Sequence, residues 1–427
     1  MLKERRNNII WALYYLVLIF IMLSWTNQEV SPNMALRVAF LGAVLFPVFF
    51  KPRLCPPAIT CFATLSTMGF SCSYLPSNLF FIVAAIFVVY LIVQKKGKKH
   101  IPVPTPVIVL LVLVTVVNLF NSFLIENLTY CLLIFILFCC FTDEDSETSS
   151  IQRLSIVVTG MALCSVFLLF RDLFTYDYIG KGTGLERTGW TDPNYFGSTI
   201  GMAAVCSIFA LMFESDKNKI IRIVFIVCVI LSFIVMLLVA SRGAILSLGV
   251  CMILMFFSRK NKVWQKVVML VLFILLLGYL YSHHYFDLLL YRIEMDETGG
   301  SGRIGIWTLK LKAFLNEDNP LHFLFGIGFR NSNYLGYGRD SYACVHNDLI
   351  NYLIAYGLVG LVVFVLMLIA PLRSAIKNNC NKDMVIIGTV FLFVCGMTLQ
   401  PLCEGYVAYY CFYFYLWQLS QTEKAIL

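Results

Sequence analysis

Runs of apolar residues, each nearly long enough to cross a bilayer and separated by short polar connections, recur from Ile9 almost to the carboxyl terminus. This serial pattern admits few folds, because a helix needs about 20 mostly apolar residues to cross about 30 Å of hydrocarbon. The first half offers Ile9–Thr26, Met34–Phe50, Leu54–Cys72, Asn78–Gln94, Pro106–Phe123, Leu128–Phe141 and Ile151–Phe170. The second half offers Asp192–Phe213, Ile221–Ala240, Ala244–Phe257, Lys266–Tyr281, Asn347–Ala370, Met384–Leu399 and Glu404–Gln418. Leu54–Cys72, Leu128–Phe141 and Ala244–Phe257 are the weakest, so the expectation is about 12–14 spans. Backbone groups in lipid must be bonded internally, and no ten-residue alternation suggests a barrel. The expected fold is all-α: a polytopic transmembrane helical bundle, with residues 1–427 forming one integral membrane domain.

Composition agrees with that reading, since 60% of the 427 residues are apolar and 13% charged, a balance foreign to a soluble domain of this length. Ile9–Thr26 follows a basic amino terminus, yet no small-residue cleavage site follows it, so it reads as a retained first span. Most of the 15 cysteines lie inside apolar runs without metal-ligand spacing, as small buried hydrophobes do. The net charge of +8 is scattered through short loops, which excludes a nucleic-acid surface and reports topology instead. With the amino terminus cytoplasmic, most of the 32 lysines and arginines fall in cytoplasmic connections. Both termini are then cytoplasmic, and the one large hydrophilic loop, 282–346, is extracytoplasmic. Arg37 and Arg242 break the charge pattern, and the acidic run Asp143–Glu147 reads as a solvated turn.

Four polar constellations stand out. Arg242 lies in Ser241-Arg242-Gly243 between two apolar runs with almost no loop, where a cation is expensive and normally takes an anionic or carbonyl partner. It is either a snorkelling arginine at a helix end or a fixed guanidinium that meets a phosphate. In the loop, Thr298-Gly299-Gly300-Ser301-Gly302-Arg303 runs into Ile304-Gly305-Ile306-Trp307, with helical spacing of apolar residues through Phe314. That pattern predicts an amphipathic helix near the membrane surface, Ser301 as its N-cap and Arg303 in its first turn, where free backbone N–H groups attract phosphate. The bland alternative is an interfacial helix anchored by Trp307.

Phe325-Gly326-Ile327-Gly328-Phe329 marks a tight turn, and His346-Asn347-Asp348 stands where the chain returns to the membrane. A neutral imidazole there could take a proton from a sugar hydroxyl, with Asn347 or Asp348 orienting it or the substrate; a structural histidine fits the position as well. Finally, Arg187-Thr188-Gly189-Trp190-Thr191-Asp192-Pro193-Asn194-Tyr195 turns from loop to helix. Asp192 would cap it with Pro193 at the first helical position, leaving Arg187 and Asn194 as polar contacts. Tyr195 and Trp190 fit an interfacial belt better than sugar stacking.

Taken in order, Arg187-x-Gly-x-x-Asp-Pro-Asn194, Ser-Arg242-Gly, Gly-Arg303-x-x-x-Trp307, Gly-Ile-Gly-Phe329, His346-Asn347 and Gly357-Leu-Val-Gly360 resemble the O-antigen ligase and O-antigen polymerase family. The resemblance covers 181–371. It implies a glycosyltransferase C-like bundle in the bacterial inner membrane, an undecaprenyl-diphosphate-linked glycan donor, and transfer to a hydroxyl without metal or cofactor. It further implies that Arg242 and Arg303 hold the donor diphosphate and that His346 is the base. Arg187, Asn194, Trp307 and Asn347 are the expected substrate contacts. A polymerase of O-antigen, capsule or exopolysaccharide repeats, working beside a flippase and a chain-length regulator, is the first expectation. A ligase moving the glycan to lipid A core or a protein is the second. From other classes, a polysaccharide transporter or flippase and a noncatalytic assembly partner share the hydrophobic pattern.

Overall fold

The computed structural model describes residues 103–121, 146–169, 193–213, 219–239, 241–258, scattered positions in 266–290, and 302–336, 343–403 and 406–421. The expected spans before residue 100, the run Leu128–Phe141 and Arg187 lie outside the described residues. Among those described, every regular element is a helix: α1 Thr105–Asn121, α2 Ser146–Leu169, α3 Pro193–Phe213, α4 Lys219–Leu238 and α5 Arg242–Phe257 precede the loop. The loop carries α6 Arg303–Leu315, α7 Pro320–Phe325 and α8 Phe329–Tyr334, and α9 Asp348–Asn378, α10 Lys382–Thr398 and α11 Val407–Gln421 follow it. Two helices, Asn194–Met212 and Asp348–Asn378, are long and apolar enough to cross a membrane, and several apolar helices are shorter.

Helix α3 is the hub, packed on α2, α4, α5, α10 and α11 and buried on nearly all sides. Small residues make this possible, as they do where helices associate by close packing rather than by hydrophobic segregation. A Cβ built on Gly160 of α2 would lie 2.2 Å from that of Ala203, and one on Gly201 3.1 Å from the Phe391 ring. The Ser198, Thr199, Ser207 and Ser247 hydroxyls each donate to a carbonyl four residues back, and Ser198 and Ser247 also meet Tyr409 and Cys395 on neighbouring helices. The described cysteines of the apolar runs are buried and free, as small hydrophobes are. On α9, apolar Leu358, Val362, Leu366 and Ile369 form an exposed stripe at helical spacing, the face a bilayer would cover.

Two irregularities in α9 are repaired from outside it. Pro371 lacks an N–H for the Met367 carbonyl, and Tyr413 of α11 donates its hydroxyl to that oxygen at 2.8 Å. At Gly357 the backbone leaves the helix entirely (φ 69°, ψ −170°). The carbonyls of Ile354 and Ala355 there accept from the N–H groups of Ile327 and Gly328, at 3.1 and 2.9 Å. The glycine turn of the loop therefore plugs the break in the following span. Its close fit needs glycine on both sides: a Cβ on Gly326 would lie 2.2 Å from the Ala355 carbonyl oxygen, and one on Gly357 2.3 Å from that of Leu324.

Candidate functional site

The first turns of α3, α5 and α9, the last turn of α10 and the loop helix α6 meet at one end of the bundle. Gly197 of α3 abuts Ser241, with a built Cβ 2.6 Å from the serine Cβ, and Gly243 of α5 abuts Thr398 of α10 equally closely. The segment after α10 fills the centre. Gln400, fully buried, accepts the His346 backbone N–H on its side-chain oxygen at 2.9 Å and donates its own N–H to the Tyr195 hydroxyl at 3.4 Å. Asp348, at the start of α9, takes the N–H groups of Leu402 and Cys403 on its two carboxylate oxygens. The Tyr352 and Tyr410 hydroxyls donate to the Leu402 carbonyl.

Around this turn stand most of the expected site residues. Arg303, the first residue of α6, donates Nη1 to the Thr398 carbonyl at 2.5 Å. Trp307, one turn on, donates its indole N–H to the Val345 carbonyl at 2.7 Å, gripping the backbone immediately before His346. His346 itself has φ 51°, a left-handed conformation uncommon without glycine. Arg242 is the first residue of α5, half-buried, and its neighbour Gly243 touches the same Thr398 that receives Arg303. Arg242, Arg303 and His346 are thus gathered about residues 397–400, although they come from separate stretches of sequence. Asn194, half-buried in the first turn of α3, lies at the same end.

Electrostatics at this end favours an anion. A helix N-terminus carries about half a positive charge and unsatisfied N–H groups, and three long helices begin here. Helices α5 and α6, the two that open with arginine, lack a side-chain cap: Ser241 and Gly302 make no capping hydrogen bond. Asn347 does cap α9, accepting the Ile350 N–H. A helix N-terminus that opens with a guanidinium suits a phosphate.

Several expectations are corrected here. The residue before α6 is Gly302 at φ 74° rather than Ser301 as N-cap. The inward face of α6 carries Arg303, Trp307 and the fully buried Lys310 and Phe314, while Ile304, Leu309 and Leu315 are exposed together with Thr308 and Lys312. Lys310 donates to the carbonyls of Ser332 and Asn333, and burial pushes its ammonium down to about 8. Tyr195 serves neither a belt nor sugar stacking: it is buried and stacked on Tyr406 at 4.3 Å. Asn347 is occupied as the cap of α9 and as a donor to the Met397 carbonyl at 3.4 Å, and Asp348 holds the turn after α10, so both position the site rather than open into it. Gln400 was not anticipated. Its only signal is a glutamine between the apolar end of α10 and Pro401. No group of three or more metal-ligating side chains occurs among the described residues.

Residues 226–365 match the family model of the O-antigen ligases. The match spans about a third of the chain and contains Arg242, Arg303, Trp307, His346, Asn347 and both halves of the glycine joint. Arg187 and Asn194 fall outside it. The resemblance carried by the short motifs is therefore matched over residues 226–365. No curated protein matches the chain.

Proposed function

We propose that the protein polymerises undecaprenyl-diphosphate-linked oligosaccharide repeats at the extracytoplasmic face of the bacterial inner membrane, as a bundle of about 12–14 spans with both termini cytoplasmic. The observation that carries this reading is the gathering of Arg242, Arg303 and His346 about one turn, where α5 and α6 begin without side-chain caps. Arg242 and Arg303 bind the donor diphosphate, and the N-terminal dipoles of α5 and α6 share its charge. His346 takes the proton of the acceptor hydroxyl as its oxygen bonds to the anomeric carbon. The bond from that carbon to the phosphate oxygen breaks, and undecaprenyl diphosphate leaves with the electron pair. Such a leaving group is already activated, so neutralising its charge and deprotonating the alcohol are the enzyme's two tasks. Trp307 holds the carbonyl of Val345 before His346, and Asn347 caps the helix after it; Asn194 and Arg187 contact the glycan.

The matched family is described as O-antigen ligase, which supports the second reading equally: the same donor, with lipid A core or a protein as acceptor. Transport remains the rival from another class, because broken helices near the midplane are typical of transporters. In α9, however, the break is filled by loop backbone rather than by charged side chains. Deleting the gene separates the first two readings: single-repeat glycan marks a polymerase, full-length unattached glycan a ligase. Arg242→Ala, Arg303→Ala and His346→Ala should each abolish glycan assembly at unchanged protein level. Full assembly in all three variants would sink the catalytic reading.

A further inference from the structure

Helix α7 is apolar on the outside. Leu321, Phe323, Leu324 and Phe325 are 59%, 43%, 41% and 43% exposed, although the helix belongs to the hydrophilic loop. Its opposite end is polar: Asn319 caps it by accepting the Leu321 N–H, and His322 pairs with Glu317 at 3.1 Å beside exposed Asp318. The depth of α7 follows from the joint it forms with α9, where the Leu324 carbonyl abuts Gly357. Gly357 stands sixteen residues before Arg373, the first exposed charge at the far end of α9. That separation is about 24 Å at about 1.5 Å per residue. With a hydrocarbon layer about 30 Å thick, Gly357 lies about 6 Å inside the opposite boundary. The exposed face of α7 is continuous there with the outward stripe of α9, which begins at Leu358, and the glycine turn that follows α7 also packs on the end of α1, whose Leu119 and Phe120 are exposed.

We propose that α7 is a membrane-inserted tip of the loop, seated among the acyl chains of the leaflet nearest the candidate site. The helix enters with its apolar end leading and its Asn319–Glu317–His322 end in the headgroups, at the depth expected for an interfacial helix. The N–H groups of Ile327 and Gly328 that follow it are bonded at this level by the joint with α9, as lipid requires. The loop is thereby anchored twice, on α9 and in lipid. Arg303 and Trp307 are then held at the height of the headgroup phosphates. The inference stands on the fold alone and holds whether the protein is a polymerase, a ligase or neither.

The test is tryptophan fluorescence of the full-length chain carrying Leu324→Trp, reconstituted in phosphatidylethanolamine–phosphatidylglycerol vesicles with or without phosphatidylcholine brominated on its acyl chains. Emission in excess of wild type should be blue-shifted and fall about twofold or more with the brominated lipid, while aqueous iodide leaves it unchanged. An Asp318→Trp variant should show the reverse. Phe325→Trp repeats the measurement if the first variant does not accumulate. Quenching of position 324 by iodide and not by bromine would place α7 in water and overturn the proposal. Protection from both would overturn it too, showing that protein covers the tip.

Discussion

Replacing Gly357 by alanine is a severe test of the joint between loop and span. An alanine there must hold φ near 69° with extended ψ, a region nearly confined to glycine that costs a side-chain-bearing residue about 1–3 kcal/mol. Its Cβ would also lie 2.3 to 2.4 Å from the carbonyl group of Leu324 and the nitrogen of Phe325, backbone atoms that cannot swing aside. The turn must therefore withdraw, and the bonds from Ile327 and Gly328 to the Ile354 and Ala355 carbonyls go with it. Each buried carbonyl left unpaired costs about 1–3 kcal/mol, so the sum is about 3–9 kcal/mol. That is comparable with the whole stability of many proteins, about 5–15 kcal/mol. The assay is fluorescence-detected size exclusion of a tagged protein in mild detergent, beside glycan length in cells. The folded peak should largely disappear and polymer with it. Gly305→Ala is the control, since nothing lies within 4 Å of its built Cβ in α6, and it should behave as wild type or slightly better. A Gly357→Ala protein that elutes and melts like wild type would refute the claim that the loop plugs the break.

Three further outcomes are expected. Trp307→Phe keeps the ring but removes the bond to the Val345 carbonyl; stability should fall by about 1–3 kcal/mol and glycan assembly by about tenfold as His346 loses its support, measured by melting and by polymer ladders. Tyr413→Phe should destabilise by about 1 kcal/mol in wild type and by much less in a Pro371→Ala background, where α9 can bond the Met367 carbonyl itself; a melting-based double-mutant cycle reads the coupling, and additive losses would contradict it. Burial lowers Lys310 from 10.5 to about 8, so between those values the unfolded chain binds the extra proton and stability should rise with pH, by at most about 3 kcal/mol. Melting followed from pH 7.5 to about 10 should show that rise, and Lys310→Met should flatten it.

How far the sequence could be read follows from where each residue's partner lies. Apolar period and length alone located the described spans, because lipid imposes both from outside the chain. Thus Asp192–Phe213 and Ile221–Ala240 correspond to α3 at Pro193–Phe213 and α4 at Lys219–Leu238. The expected span ends at Ala370 on apolar length, yet the helix runs through Pro371 to Asn378. The missing donor is replaced by Tyr413, forty-two residues away, and no local pattern encodes that. Arg242 was legible because a cation is costly at a membrane edge, Arg303 because it follows a glycine-rich helix entry, and His346 because two further polar residues follow it at the re-entry point. Gln400 and the structural use of Asp348 were not, since an amide or a carboxylate that serves backbone N–H groups looks in sequence like any other.

The two glycine motifs show the same limit most sharply. Gly-Ile-Gly before Phe329 and Gly357-Leu-Val-Gly360 were visible as separate marks, and only the fold shows that one is the lock of the other. That pairing changes what the loop is. A long hydrophilic connection would leave Arg303 and Trp307 free to wander over many ångströms, and a base supported by such a loop would lose its geometry with every excursion. Pinned into the break of the helix that itself begins beside His346, the loop shares one rigid frame with the histidine. Arg303 on the loop and Thr398 on α10 can then hold a 2.5 Å contact without a disulfide or metal ion to enforce it. The glycines are therefore as much a requirement of the candidate site as its arginines, although none of them would touch a substrate.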